Sequence, residues 1–178
     1  MDGPSDHDLM AQAARGDERA FRILVARHTR GALSIARRIL RNDARAEEIV
    51  QDAMLRVWIN APRWRPEAAF RTWLYRVVVN LCLNDKRRPA TMPFEQAGDP
   101  ADPAPDAGAM LEARQRDRKL AAAIDALPAR QRTAIVLTYQ EGLANADAAA
   151  VLDISVSGLE ALLVRAKRTL RAVFEEDR

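Results

Sequence analysis

The 178-residue sequence is poor in the residues that most catalytic and metal sites are built from, with one cysteine, two histidines and seven glycines. Each shortage excludes something. Cys82 alone can form neither an intramolecular disulfide nor a cysteine-cluster metal site. A lone thiol inside an apolar run reads as a small buried hydrophobe, with a redox-sensing thiol as the alternative. His7 and His28 are the only histidines, no glycine-rich phosphate loop is present, and no nucleophile is paired with a base, so no enzyme activity, cofactor or metal is expected. No apolar run approaches the roughly 20 residues that a bilayer-spanning helix needs. The opening MDGPSDHDLM lacks the basic stretch and apolar core of a signal peptide, which predicts a soluble cytoplasmic protein with no membrane contact of its own. Strand-like alternation and internal repeats are also missing, and the expected fold class is all-α.

What is present is enough apolar material for cores, 48% of the chain, and a net charge of only +3 despite a pI near 9.5. The placement of charge therefore carries more information than its sum. Residues 61–90 hold seven bases (Arg63, Arg65, Arg71, Arg76, Lys86, Arg87, Arg88) against Glu67 and Asp85. Residues 91–117 hold six acids (Glu95, Asp99, Asp102, Asp106, Glu112, Asp117) against Arg114 and Arg116. Five of the nine prolines fall between 89 and 105, a composition that reads as an irregular or polyproline-like linker. The pattern predicts two small helical domains joined by a flexible acidic, Pro-rich linker.

Helices are predicted from Ser5, whose capping box with Asp8 opens a short first helix, and from Asp17, which can cap a second running to about residue 41. A third spans about 44–60 and a fourth about 67–88, after a loop enclosed by Pro62 and Pro66. The second domain starts near 107. Its first helix stops before Pro128, which suits the first position of the next helix, and that helix continues to Gly142. A short helix capped by Asn145, a turn at 153–155 and a longer helix from 156 to about 174 make a helix-turn-helix outline. Asp153 stands where a turn glycine is usual, a tolerable replacement because Asp accepts left-handed backbone better than most residues.

Three stretches carry chemistry. In the helix-turn-helix, Ala148, Ala149, Val151, Leu152, Ile154, Leu159, Leu162 and Leu163 can lock the pair, leaving the N-terminal side of the second helix for base edges and Arg165, Lys167, Arg168 and Arg171 for phosphates. A plain helical hairpin with a solvated basic end is the alternative. In AEEIVQDAMLRVW, the inward stripe is Ala46, Ile49, Val50, Ala53, Met54, Val57 and Trp58. Its outward face carries Glu47, Glu48, Gln51, Asp52, Leu55 and Arg56, suited to a basic partner helix or simply to water. In FRTWLYRVVVN, a helical projection gathers Phe70, Leu74, Val77, Val78 and Leu81 inside and leaves a polar strip of Thr72, Trp73, Arg76, Asn80, Asn84 and Arg87. Trp64 between Arg63 and Arg65 precedes that strip, and Lys86, Arg87 and Arg88 follow it. Rings for stacking beside cations for phosphate are what single-stranded nucleic acid requires, with core packing as the alternative for Trp73 and the expected role of Tyr75.

Taken in order, AEEIVQDAMLRVW, AAFRTWLYRVVVNLCLNDKRR, the acidic linker, ALPARQRTAIVLTYQEGL and AAAVLDISVSGLEALLVRAKRTLR resemble the extracytoplasmic-function branch of bacterial RNA polymerase sigma factors. The resemblance implies region two over 1–90, a linker over 91–106 and region four over 107–178. It implies that the protein binds core polymerase, at the clamp helices of the largest subunit and the flap, and directs promoter-specific initiation of a stress or envelope-signal regulon under a cognate anti-sigma factor. Glu47, Glu48, Gln51, Asp52, Leu55 and Arg56 would contact core. Arg63, Trp64, Arg65, Arg71, Trp73, Arg76, Asn80, Lys86, Arg87 and Arg88 would read and melt the minus-ten element, with the 61–69 loop resembling the part that holds an extruded base. Ser155, Ser157, Gly158, Glu160, Ala161, Arg165, Lys167 and Arg168 would meet the minus-thirty-five element. Glu160, Leu162 and Val164 depart from the basic or polar residues common there. The rival reading is a dimeric helix-turn-helix regulator of duplex DNA, which gives no reason for Arg63 to Arg65, Trp73 and Arg76.

Overall fold

The computed structural model describes residues 3–85 and 107–175, with side chains omitted for 107–113. The linker at 91–106 and the Lys86, Arg87 and Arg88 cluster lie outside the described residues. Every regular element among those described is helical.

Local chemistry sets the helix starts. Helix α1 (Asp6–Ala13) opens with a capping box in which the Asp8 N–H donates to Ser5 Oγ at 3.2 Å and the Ser5 N–H donates to Asp8 Oδ2 at 3.3 Å. The Ser5 hydroxyl also donates to Asp8 Oδ2 at 2.6 Å, and this bond, with the one from the Ser5 N–H, favours the ionised form and holds the Asp8 carboxyl below its ordinary range. Helix α2 (Glu18–Leu40) is capped by Asp17, which accepts from the Arg19 and Ala20 N–H groups, and it stops at Arg41 in left-handed backbone, φ 58°. Helix α3 (Asp43–Asn60) begins at Asn42, whose side chain accepts from the Arg45 N–H at 2.9 Å. A 3-10 turn, Ala61–Arg63, leads into the loop before α4 (Phe70–Asp85). That helix starts at Phe70 and not at the expected residue 67, with its first turn closed by the Trp73 N–H on the Ala69 carbonyl.

The C-terminal half holds α5 (Ala107–Ala126), α6 (Ala129–Ile135), α7 (Asn145–Leu152) and α8 (Val156–Glu175). Three details correct the sequence reading. Pro128 is the N-cap of α6 and not its first residue, with extended backbone at ψ 140°. Helix α6 runs on into a π-helical segment, Val136–Gln140, that no propensity signals. Asn145 is the first residue of α7 and not its cap; Ala144 holds the cap position without a side-chain bond. Asp153 does adopt left-handed backbone, φ 56° and ψ 49°, in the turn between α7 and α8.

Helices α1 to α4 bury Leu24, Ile35, Ile39, Val57, Leu74 and Val78 almost completely. Tyr75 is buried as expected for a packing residue, and Cys82 is fully buried. Val79 is fully buried as well, while Val77 and Leu81 are only half-buried, so the inward face of α4 is rotated from the projected one. Gly31 in the middle of α2 is required by Tyr75: a Cβ built there would collide with the phenol oxygen.

The two halves do not stand apart. Buried side chains of α1 to α4 and of α6 to α8 form one continuous apolar cluster, with Ile124 of α5 against it and α7 packed on α4. Polar contacts cross the same boundary. Ser34 Oγ donates to Glu141 Oε1 at 2.6 Å, Arg38 pairs with Glu141 at 3.4 Å, and Arg41 pairs with Asp125. Arg132, only 8% exposed, donates to the Ile39 carbonyl on α2 and to the Asp125 and Leu127 carbonyls that end α5. Desolvation lowers its pKa, opposed by Asp125.

Candidate nucleic-acid interface

The turn after α3 and the first two turns of α4 enclose a cavity of about 730 Å³. Asn60, Arg63, Trp64, Arg65, Thr72, Trp73 and Arg76 line it. Rings form its floor. Trp64 meets Phe70 edge-on with centroids 6.5 Å apart, and Phe70 lies 6.0 Å from Trp73. Both histidines join this cluster, His7 at 5.7 Å from Trp64 and His28 at 5.0 Å from Phe70. Helix α1 is in turn tied to α2, because Asp6 accepts from Arg27 at 3.0 Å and sits 2.7 Å from His28 Nε2. The buried indole N–H of Trp64 has no acceptor among the described residues.

The lining of the cavity carries Arg63, Arg65 and Arg76 against Glu67. Arg63, Arg65 and Arg71 are exposed and make no ion pair among the described residues, and Arg71 lies 6.0 Å from the Tyr75 ring centre. The expected strip on α4 is present but unevenly open. Thr72 is buried, Trp73 and Arg76 are half-buried, and Asn80 is exposed. Trp73 therefore serves core and cavity together. Arg76 is already engaged: its Nε–H donates to the Ala150 carbonyl on α7 at 2.9 Å, and its Nη2 lies 3.4 Å from Asp153 Oδ1.

Residues 24–91 match the family model for sigma-70 region 2, and residues 117–170 match that for sigma-70 region 4. The RNA polymerase sigma factor CnrH of Cupriavidus metallidurans is 32% identical, over 98% of this chain and 97% of its own. This chain belongs to the extracytoplasmic-function sigma factors. The family's SigM from Mycobacterium tuberculosis is 34% identical over 93% of this chain and 83% of its own length. The structure of CnrH in complex with the cytosolic domain of CnrY superposes with a TM-score of 0.72, at 30% identity, covering 98% of this chain and all of that one. The Bartonella quintana sigma factor RpoE, solved with the anti-sigma factor NepR, shares the fold at 21% identity, with a TM-score of 0.65 over 89% of this chain and 98% of that one. As a sigma factor the protein directs promoter-specific transcription initiation. No described helix is long and apolar enough to cross a membrane.

In this sigma factor the outward face of α3 is exposed but not free. Glu47 pairs with Arg37, Glu48 with Arg45, and Asp52 with Arg56 at 3.1 Å. Arg45 also binds Asp85 of α4, and these carboxylates raise the pKa of its guanidinium. What stands clear is apolar: Leu55 is 56% exposed and Ile59, one turn on and absent from the sequence reading, 63%. Asn60, in the cavity wall, was also missed as a site residue, since only the loop's return path brings it beside Trp64, whereas Thr72, read as part of the polar strip, lines the cavity from a buried position.

On α8, Ser157, Glu160, Ala161 and Val164 make one exposed ridge, with Arg165, Lys167 and Arg168 exposed beyond it. Ser155 is occupied in capping, its Oγ accepting from the Gly158 N–H at 3.1 Å, and Gly158 is half-buried against the turn. Lys167 sits 4.9 Å over the Tyr139 ring. Glu160 has no ion-pair partner among the described residues.

Proposed function

We propose that residues 1–90 act as region two and 107–178 as region four, and that the cavity between α3 and α4 receives a base extruded from the minus-ten element. The observation that carries this is the convergence of Trp64, Trp73, Arg63, Arg65 and Arg76 on one cavity. Stacking on the rings, phosphate contacts from the exposed arginines and amide contacts from Asn80 would offset the unpairing cost, roughly a few kcal/mol per extruded base. Lys86, Arg87 and Arg88, which follow α4 in the sequence, would add phosphate contacts. In this reading the enzyme activity is the polymerase's, and the sigma factor supplies binding energy.

Core polymerase would dock on α3 through Leu55 and Ile59 at the centre and Glu47, Glu48, Gln51, Asp52 and Arg56 around them, because buried apolar anchors carry more energy than rim ion pairs. Helix α8 would enter the major groove of the minus-thirty-five element along Ser157, Glu160, Ala161 and Val164. A carboxylate there accepts from a cytosine amino group, and Arg165, Lys167 and Arg168 meet phosphates. An anti-sigma factor is expected as a further partner, since the related CnrH was captured with the cytosolic domain of CnrY.

Run-off transcription with bacterial core polymerase on a promoter library tests the reading. The protein should bind core and start transcripts at defined sites; failure of both ends it. Asn80→Ala should alter minus-ten base preference with core affinity unchanged.

A further inference from the structure

Helix α1 precedes residues 24–91, which match region 2, yet it reaches the base cavity. Its His7 ring lies 5.7 Å from the Trp64 ring at an interplanar angle of 56°, while the His7 side chain stays 60% exposed. A ring so open to water adds little to the core, so its contact with a cavity residue calls for another account.

Trp64 has need of such a neighbour. It stands in extended backbone, φ −64° and ψ 135°, where the 3-10 turn ends, and its main-chain N–H donates to the Ala61 carbonyl at 3.2 Å. Its indole N–H has no acceptor among the described residues, so no side-chain hydrogen bond sets the angle of the ring. Its aromatic contacts are Phe70, centroids 6.5 Å apart, and His7. Phe70 is fixed by burial in the core. His7 is only as fixed as α1.

That helix is held at several points. Leu9, Met10 and Ala13 are buried. Asp6 accepts from Arg27 Nη1 at 3.0 Å and lies 2.7 Å from His28 Nε2, and Arg27 Nη1 also donates to the Pro4 carbonyl at 2.8 Å. The His28 ring in turn lies 5.0 Å from Phe70. A path therefore runs from Phe70 through His28, Asp6 and His7 to Trp64, in which each link is a ring contact, a polar contact or adjacency in the chain.

We propose that α1 is a brace for the base cavity and that His7 is a positioning residue, setting the Trp64 ring in the orientation that stacks on the extruded base. This rests on the assignment of the cavity to a minus-ten base. A ring held in its bound orientation before the base arrives spares the complex the ordering of that side chain. The gain concerns bases and not phosphates, since stacking needs only a π-face.

The test uses the full chain assembled with bacterial core polymerase, anisotropy, and two fluorescein-labelled single strands of equal length, one of random sequence and one built of abasic sites, with core alone as the blank. The strands share phosphates and differ in bases. Wild type should favour the first about tenfold, the scale of one stacked base. His7→Ala should lower that ratio about three-fold with abasic affinity unchanged, and His7→Phe, which keeps a ring, should preserve it. Asp6→Ala, which frees α1 from Arg27 and His28, should lower the ratio too, whereas Gln12→Ala, exposed on the same helix, should not. An unchanged ratio in His7→Ala or Asp6→Ala overturns the brace. So does equal loss on both strands, an equal fall in Gln12→Ala, or a fall in His7→Phe that matches His7→Ala. If wild type shows no preference for bases over abasic sites, the cavity assignment beneath the proposal fails instead.

Discussion

Single side chains decide several properties that composition hides. Gly31 has no turn to make, since it lies inside a 23-residue helix where alanine would ordinarily be favoured by about 1 kcal/mol. The Tyr75 hydroxyl reverses that preference, because the ring is buried and cannot swing aside. Gly31→Ala should lower unfolding free energy by about 1–3 kcal/mol in denaturant titration, and Tyr75→Phe in the same chain should restore part of it, a coupling that an additive pair would lack. The same burial raises the pKa of the Tyr75 hydroxyl above its usual 10.0. In the unfolded chain it ionises first. The folded state then binds more protons, so stability is retained below the unfolded pKa and lost as pH rises through it towards the folded one. Equilibrium unfolding between about pH 9 and 11 should show a decline that is smaller in Tyr75→Phe.

Helices present a different balance, between the face they bury and the face they show. The seven-residue inward stripe of α3 was readable because helical spacing leaves little choice, and Ala46, Ile49, Val50, Ala53, Met54 and Val57 are all buried. Its outward acids were equally readable, and the pairs of Glu48 with Arg45 and Asp52 with Arg56 lie at plain helical spacing within α3, but the pairing of Glu47 with Arg37 was not readable, since a partner on α2 depends on packing. Exposed ion pairs contribute about 0–1 kcal/mol, so the apolar pair on that face should dominate docking. Leu55→Ala with Ile59→Ala should weaken core binding by tenfold or more in a pull-down titration, shift stability by no more than about 0.5 kcal/mol, and leave single-strand affinity unchanged. Helix α4 was the harder case. Its projection gave the strip of Trp73, Arg76 and Asn80 correctly but misjudged Val77, Val79 and Leu81, because a helix with neighbours on several sides has no single inward direction.

Across the whole molecule, the contact between the halves turns on Arg132. Its guanidinium satisfies carbonyls at the end of α5 and at Ile39 on α2 while remaining 8% exposed. Arg132→Met keeps the bulk but leaves those acceptors unpaired, and should destabilise the protein by about 2–4 kcal/mol, with the C-terminal half losing hydrogen-exchange protection first. By itself the sequence determined the all-helical class, the helix-turn-helix with its left-handed Asp153, and the family, because periodicity, caps and ordered motifs are local and survive without neighbours. It could not determine that Ala150 closes one side of the cavity, that Asp153 faces Arg76, or that Glu141 reaches α2 across 107 residues of chain. Those pairings join residues far apart in sequence through the packing of α7 on α4, and only the tertiary structure, by bringing the two helices together, settled which acceptor each arginine has.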